Sequence, residues 1–191
     1  DSMMYSSAIY PNSISTLEEA QEYKLKTICD KLQLEESDHL LEIGTGWGAL
    51  AIYAAEHYGC KVTTTTLSHE QKDKAVERIK VKGLESKITV LMQDYRDLDG
   101  QFDKLVSIEM IEAVGHEYLP DYFASCSRLL KENGMFLMQV ITIPDQRYDS
   151  ARKEVDFIKR YIFPGSCIPS VQRIMDCVRK ESDMRLLDLQ D

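Results

Sequence analysis

No stretch of this chain approaches about 18 consecutive apolar residues, so nothing in it reads as a membrane-spanning helix. Its five cysteines (Cys29, Cys60, Cys126, Cys167, Cys177) are scattered, odd in number and never in CxxC spacing. That leaves neither a zinc site nor a disulfide framework and reads as a reduced, intracellular chain. Basic residues are outnumbered, 23 Lys and Arg against 32 Asp and Glu, for a net charge of -9. Such a balance argues against nucleic acid and against broad attraction to anionic lipid, though not against a local basic patch. The opening DSMMYSSAIY lacks the basic flank and apolar core of a secretory signal. Repeats, low-complexity tracts and Gly/Ser/Pro linkers are also missing. What remains, 191 residues at 43% hydrophobic and 29% charged, suits one globular domain with a real core, or one cut short.

The chain is organised around LLEIGTGWGALA, residues 40–51. A short apolar run ends in an acid, glycines follow at 44, 46 and 48, and a helical pattern begins. This is a strand entering a Gly-rich turn that opens a helix, where bare backbone approaches a ligand and helix amides favour an anion. Elsewhere strand and helix patterns alternate. Helices are expected at 16–34, 48–58, 68–82, 118–130, 150–161 and 170–180. Strands are expected at 39–43, 61–67, 88–92, 102–108 and 135–143, with a sixth at 184–189. The alternation predicts an α/β fold, a mostly parallel twisted sheet with helices on both faces, whose ligands lie beyond the carboxyl ends of the strands. A sheet stopping at its sixth strand leaves an open edge, so the expectation is a piece of a longer protein.

Gly44, Gly46 and Ala49 satisfy the G-x-G-x-x-G/A dinucleotide pattern, but that pattern wants an acid at the end of the second strand. Here the strand ends Thr64-Thr65-Thr66-Leu67-Ser68. Glu42 instead stands two residues before the first glycine, placed to order the loop and meet the ammonium of an amino-acid group. The third strand delivers Gln93-Asp94-Tyr95, with Asp94 suited to the amino group of an adenine and Tyr95 to its face. Together these favour S-adenosylmethionine (SAM) over NAD, and a Rossmann-like SAM-dependent methyltransferase fold.

The segments MMYSSAIY, EIGTGWGALAIYAAEHYG, TTLSHEQ, QDYRDLDGQFDKLVSIEMIEAVG and KRYIFPGSCIPS are sharper than the glycine loop. In order and spacing they resemble the cyclopropane fatty acid and mycolic acid cyclopropane synthases, up to about residue 172. The resemblance implies cofactor contacts from Gly44, Gly46, Thr66, Gln71 and Tyr95, with Tyr5 and Ser6 folded over the methionine end. Residues 1–15 would be an active-site segment and 16–191 an incomplete SAM-binding domain. It implies methyl transfer to the cis double bond of a phospholipid acyl chain, then loss of a proton to a bound bicarbonate as a cyclopropane ring closes. Glu112 matches the glutamate that holds this anion, with Ser7, Gln139 and Ile141 at the remaining bicarbonate positions. No metal is implied. The implied setting is the cytoplasm, peripheral to the inner membrane surface, with no nucleic-acid partner and a homodimer in the full-length protein.

Some positions depart from the family pattern. Ser7 stands where a cysteine is usual, Gln139 where a histidine is common, and Glu109 where glycine is frequent. A tyrosine of the family's active site would fall after Asp191. Glutamine hydrogen-bonds but relays no proton, so methyl or methylene branching without ring closure is the alternative outcome, and a non-catalytic SAM-binding homologue a further one. Trp47 reads equally as ligand-side or core. His116 reads as a site residue or a plain loop position, while His39, His57 and His69 read as surface. Arg147, Tyr148, Lys159 and Arg160 read as headgroup contacts or a solvated face.

Overall fold

A computed structural model describes residues 2–191. Contacts divide the chain into two compact units: residues up to Ile108 together with Leu130–Met138, and Glu109–Leu129 together with Gln139–Asp191.

The first unit opens with α1 (Leu17–Lys31), begun by a capping box in which Thr16 and Glu19 satisfy each other's backbone N–H. Then come β1 (His39–Ile43), α2 (Ala49–Tyr58), β2 (Lys61–Thr66), α3 (His69–Val81), β3 (Ile88–Met92) and β4 (Phe102–Ile108). The edge strand β5 (Leu130–Gln139) returns after α4 (Leu119–Leu129). The five strands lie in the order β3-β2-β1-β4-β5, and β1–β2, β2–β3 and β1–β4 are parallel. Leu41 of β1 sits between Thr63 of β2 and Leu105 of β4. β1 and β2 are buried almost throughout, as strands covered on both faces must be. Their core partners include Leu25 and Ile28 of α1 with Leu32 just after it, Leu50, Ala51 and Ala54 of α2, and Ile79 of α3. The chain winds outward from β1 through β2 to β3, then crosses back to β4. This reversal makes the carboxyl end of β1 the switch point where such sheets bind ligands.

In the second unit α4 buries Leu119, Tyr122, Phe123, Cys126 and Leu129, and packs on α6 (Val171–Glu181). α5 (Asp145–Ala151) lies between them in sequence.

The alternating α/β reading holds, and three expectations need correction. Residues 184–189 form no strand: Leu186, Leu187 and Leu189 are exposed, and no neighbour gives them a ladder, without which an apolar alternation stays loop. The helix expected over 150–161 is broken. α5 ends at Ala151, and a single π turn begins at Ile158, where the Asp156 carboxylate accepts the Lys159 N–H at 2.8 Å. A short acid inside the expected helix thus serves as a local cap.

β5 is displaced: it begins at Leu130, passes through Asn133-Gly134, and ends at Gln139, not at 143. A Cβ on Gly134 would lie 2.6 Å from Leu130 Cδ1 and 2.9 Å from the Asp103 carbonyl, so only glycine lets the strand close on β4 here. Gly134→Ala is therefore expected to lower stability by roughly 1–3 kcal/mol through overpacking. A lower denaturant midpoint at unchanged m would show it, and an unshifted midpoint would refute it.

Candidate cofactor and catalytic sites

In the first unit the glycine loop leaves β1 and packs in two directions. Gly48 (φ +81°) starts α2, and a Cβ there would stand 3.1 Å from Ala75 Cβ on α3. Gly46 (φ +49°) lies under the Tyr5 ring, 3.9 Å from where its Cβ would be. No side chain caps α2, so its first amides are open to an anion.

Residues 2–7 run as a strap held by four side chains. Arg78 donates to the carbonyls of Ser2 (3.0 Å) and Trp47 (2.6 Å), tying strap and glycine loop together. Gln71 Nε2 donates to the Tyr5 hydroxyl at 3.2 Å and its Oε1 accepts from Thr66 at 3.0 Å. From α1, Gln21 donates to the Ser6 carbonyl at 3.0 Å and Lys24 to the Ser6 hydroxyl at 2.6 Å. Tyr5, Gly46, Thr66 and Gln71 are thus brought together. Ser7 is exposed at the end of the strap.

Glu42 is buried (3% exposed) beneath this loop. Thr64 donates to its Oε2 at 2.6 Å and stands 2.8 Å from the Thr45 hydroxyl. Burial pushes its carboxyl up to about 8, the Thr64 hydrogen bond opposing. Asp94 is committed locally: it caps the turn Tyr95–Asp97 and takes the Arg96 guanidinium at 2.9 and 2.7 Å, which holds its carboxyl below the usual range. A ligand at Asp94 would share it with Arg96. Tyr95 beside it is half-buried.

The second unit gathers Glu109, Glu112, Gln139 and Ile141. The Ile141 N–H, beyond the end of β5, donates to Glu112 Oε1 at 2.6 Å. Glu112 Oε2 is buried and has no hydrogen-bond partner among the described residues. Burial raises this carboxyl, the Glu109 charge adds to the rise, and the Ile141 amide opposes it. Glu109 adopts φ +46°, a left-handed conformation that ordinarily favours glycine. Its N–H donates to the Gln139 carbonyl at 2.8 Å and its carboxylate accepts from Gln139 Nε2 at 2.7 Å. The Cys167 N–H holds the Glu112 carbonyl at 2.8 Å, and Gly115 passes so near the Gly165 carbonyl that a Cβ would stand 3.1 Å from it. His116 shares a 2.7 Å hydrogen bond with the buried Tyr148, which excludes Tyr148 from a solvated face. Lys159 is spent on the carbonyls of Ala151 and Glu154. His39 bonds Thr63 at 2.9 Å, half-buried and not a surface residue.

Gln21, Lys24 and Arg78 escape the sequence reading. For the first two a signal exists: both fall on the buried stripe of α1 among Ala20, Leu25 and Ile28, where polar side chains need a purpose. Arg78 carries none, since an arginine late in a helix is ordinary.

Sheet order, glycine loop and acid at the end of β1 define a Rossmann-like fold of the SAM-dependent methyltransferase class. A crystal structure of mycolic acid cyclopropane synthase CmaA1, complexed with SAH and CTAB, superposes on 94% of this chain and 66% of its own with a TM-score of 0.85 at 29% identity. The family model for mycolic acid cyclopropane synthetase matches residues 1–191, and the chain belongs to that family. Cyclopropane-fatty-acyl-phospholipid synthase of Escherichia coli K12 is 45% identical over 175 residues, 91% of this chain and 44% of that protein. Tuberculostearic acid methyltransferase UfaA1 of Mycobacterium tuberculosis is 37% identical over 195 residues, 98% of this chain and 45% of that one. The chain thus spans about half the length of the curated relatives it matches. Among the described residues no helix is long and apolar enough to cross a membrane.

Proposed function

We propose that the intact protein transfers a methyl group from SAM to a cis double bond of an unsaturated phospholipid acyl chain and closes a cyclopropane ring by loss of a proton. The observation that carries this reading is Glu112, a half-buried carboxyl with one oxygen fixed by the Ile141 amide and the other buried and awaiting a partner. A buried orphan oxygen of this kind suits a small anion that shares a proton with it. Bicarbonate fits that description, and the family resemblance supports it.

The cofactor fits the first unit: a glycine loop held at positive φ at Gly46 and Gly48 and tight against Ala75, open α2 amides, and a buried acid for an ammonium. When bound, it supplies an electrophilic methyl on a sulfonium. Tyr5, Thr66 and Gln71 would line it, Glu42 would face its amino group, and Asp94 and Tyr95 its adenine. The alkene would offer its electron pair to that methyl as the sulfur–carbon bond breaks and the neutral thioether leaves with its pair, placing positive charge on the neighbouring carbon. A proton must then leave the delivered carbon so that its bonding pair can close the ring. Glu112 and its anion would take the proton, and water must be kept out, since it would trap the cation.

Gln139 favours a second reading. It is engaged with Glu109 and cannot relay a proton, and one relative is named a tuberculostearic acid methyltransferase. Proton loss elsewhere would leave a methyl or methylene branch in place of a ring.

Incubating the intact protein with methyl-13C SAM and vesicles of cis-unsaturated phospholipid separates these. Label in a cyclopropane carbon, read by nuclear magnetic resonance of the extracted lipid, is the expected result. Label in a branch selects the second reading. Cofactor binding without any labelled lipid refutes both.

A further inference from the structure

His116 and Tyr148 share a short hydrogen bond inside the second unit, and the reaction proposed above uses neither. Tyr148 is only 7% exposed. A hydroxyl placed that deep is costly unless it is engaged, and this one is engaged on two sides. His116 Nδ1 lies 2.7 Å from it and Cys167 Sγ 3.9 Å from it. Burial, then the Arg173 and Arg152 charges, hold the His116 ring below its ordinary range against Glu117 and Asp149, so the ring is neutral near pH 7. Burial and the neighbouring Cys167 push the phenol up against Arg173, so it keeps its proton. The hydroxyl therefore donates to Nδ1 and accepts from the Cys167 thiol.

Both partners of that hydroxyl lead to Glu112. His116 follows it by four residues, and between them Gly115 is pressed so near the Gly165 carbonyl that a Cβ would stand 3.1 Å away. Cys167 donates its N–H to the Glu112 carbonyl at 2.8 Å. Two residues on, the Pro169 carbonyl takes the Ile143 N–H at 3.0 Å. Ile143 in turn stands two residues past the Ile141 amide that fixes Glu112 Oε1. Residues 167–169 thus hold the acid from one side and the chain of its amide partner from the other. The Tyr148 hydroxyl is the point where this segment and the His116 loop are locked to a third element, α5.

We infer that Tyr148 and His116 are positioning residues that act through residues 167–169 to hold the Glu112 carboxyl in place for the proton it takes. This rests on the reading of Glu112 given above. The pair does no chemistry of its own, since the hydroxyl proton is committed to Nδ1. Its contribution is registration. Without the hydroxyl, the Cys167 thiol and the His116 ring lose their common partner, and the seat of Glu112 loosens. Methyl transfer needs no base, so a loosened acid leaves that step intact and slows the proton loss that closes the ring.

The test uses the intact protein, methyl-13C SAM and vesicles of cis-unsaturated phospholipid, and reads both total labelled lipid and the share of label in the ring. Tyr148→Phe keeps the aromatic ring and removes only the hydroxyl. It should slow cyclopropane formation by roughly ten- to a hundredfold, the scale for a reacting group misplaced by about 1 Å. The ring's share of the label should fall with it, while SAM affinity stays as it was. His116→Phe, which offers no acceptor, should match this loss, and the double variant should lose no more than the worse single one. His116→Asn, whose Oδ1 can stand in for Nδ1, should restore the parent's ring share. A merely structural role gives a different pattern: less label in total at an unchanged ring share, and His116→Asn as poor as His116→Phe. Either result overturns the inference, as does full activity in Tyr148→Phe. If Tyr148→Phe does not fold, the two His116 variants decide on the same comparison. If the parent closes no ring, or Glu112→Gln closes it equally well, the reading of Glu112 itself fails and the inference with it.

Discussion

Glu112→Gln is expected to cut labelled cyclopropane lipid severely while leaving SAM affinity as it was. The substitution keeps size and planarity. Its amide oxygen can still accept the Ile141 N–H that now meets Oε1 at 2.6 Å, and the Cys167 N–H still holds the backbone carbonyl. What disappears is the ionisable second oxygen, replaced by an amide that neither takes nor shares a proton. General acid–base groups contribute on the order of 10²–10⁴ in rate, and turnover should fall by that much. Residual methyl transfer in the variant should shift from ring to other products, because the first step needs no base and the second does. Because burial and Glu109 raise the Glu112 carboxyl, the acid limb of the parent's pH–rate profile should lie above the ordinary glutamate range and vanish in the variant. Full activity in Glu112→Gln would sink the assignment.

Glu42 should make the protein without cofactor lose stability as pH rises. Unfolded, this carboxyl titrates near 4.5, whereas in the fold burial lifts it to about 8. Below the lower value both states hold the proton and the contribution is fully present. Between the two the unfolded chain releases its proton while the native state keeps it, so each step up in pH favours unfolding. Above the upper value the loss is complete and, for a wholly buried group, of order several kcal/mol. Glu42→Gln, which stays neutral, should remove this slope and be the more stable form at pH 9. A cationic ligand group beside Glu42 reverses the preference, so SAM binding near neutral pH should release up to about one proton. Calorimetry in buffers of different ionisation enthalpy measures that release. No release, or the same release from the variant, would contradict the role of Glu42.

The fold was legible where periodicity and turn chemistry agreed. β1, β3 and β4 carry their expected bounds, since apolar runs between polar loops leave little choice of register. The ends of β5 were not legible: Gly134 reads as a turn, and only its closeness to Leu130 and Asp103 shows why a strand needs it. Residues 184–189 show the converse, an apolar pattern with no partner to make it a strand. At the candidate sites, residue types were readable and their partners were not. Gln71, Thr66 and Tyr5 form one hydrogen-bonded chain although 61 positions or more separate the tyrosine from the other two. Asp94 looks open in sequence, yet Arg96 two residues on occupies it. Lys24 was hidden for the opposite reason: in sequence a lysine on a helix is assumed to face water.

The Ile141 amide has a consequence for how this region can vary. The Ile141 N–H, two residues past the end of β5, is committed to Glu112 Oε1, so the length of chain after the strand sets where that amide meets the acid. An insertion or deletion between Gln139 and Ile141 is expected to displace the amide and unseat the carboxyl. Substitutions that exchange side chains around Glu109 and Gln139 face no such constraint. Variation here is therefore expected to run through side-chain chemistry at constant length, while the frame beneath it stays put.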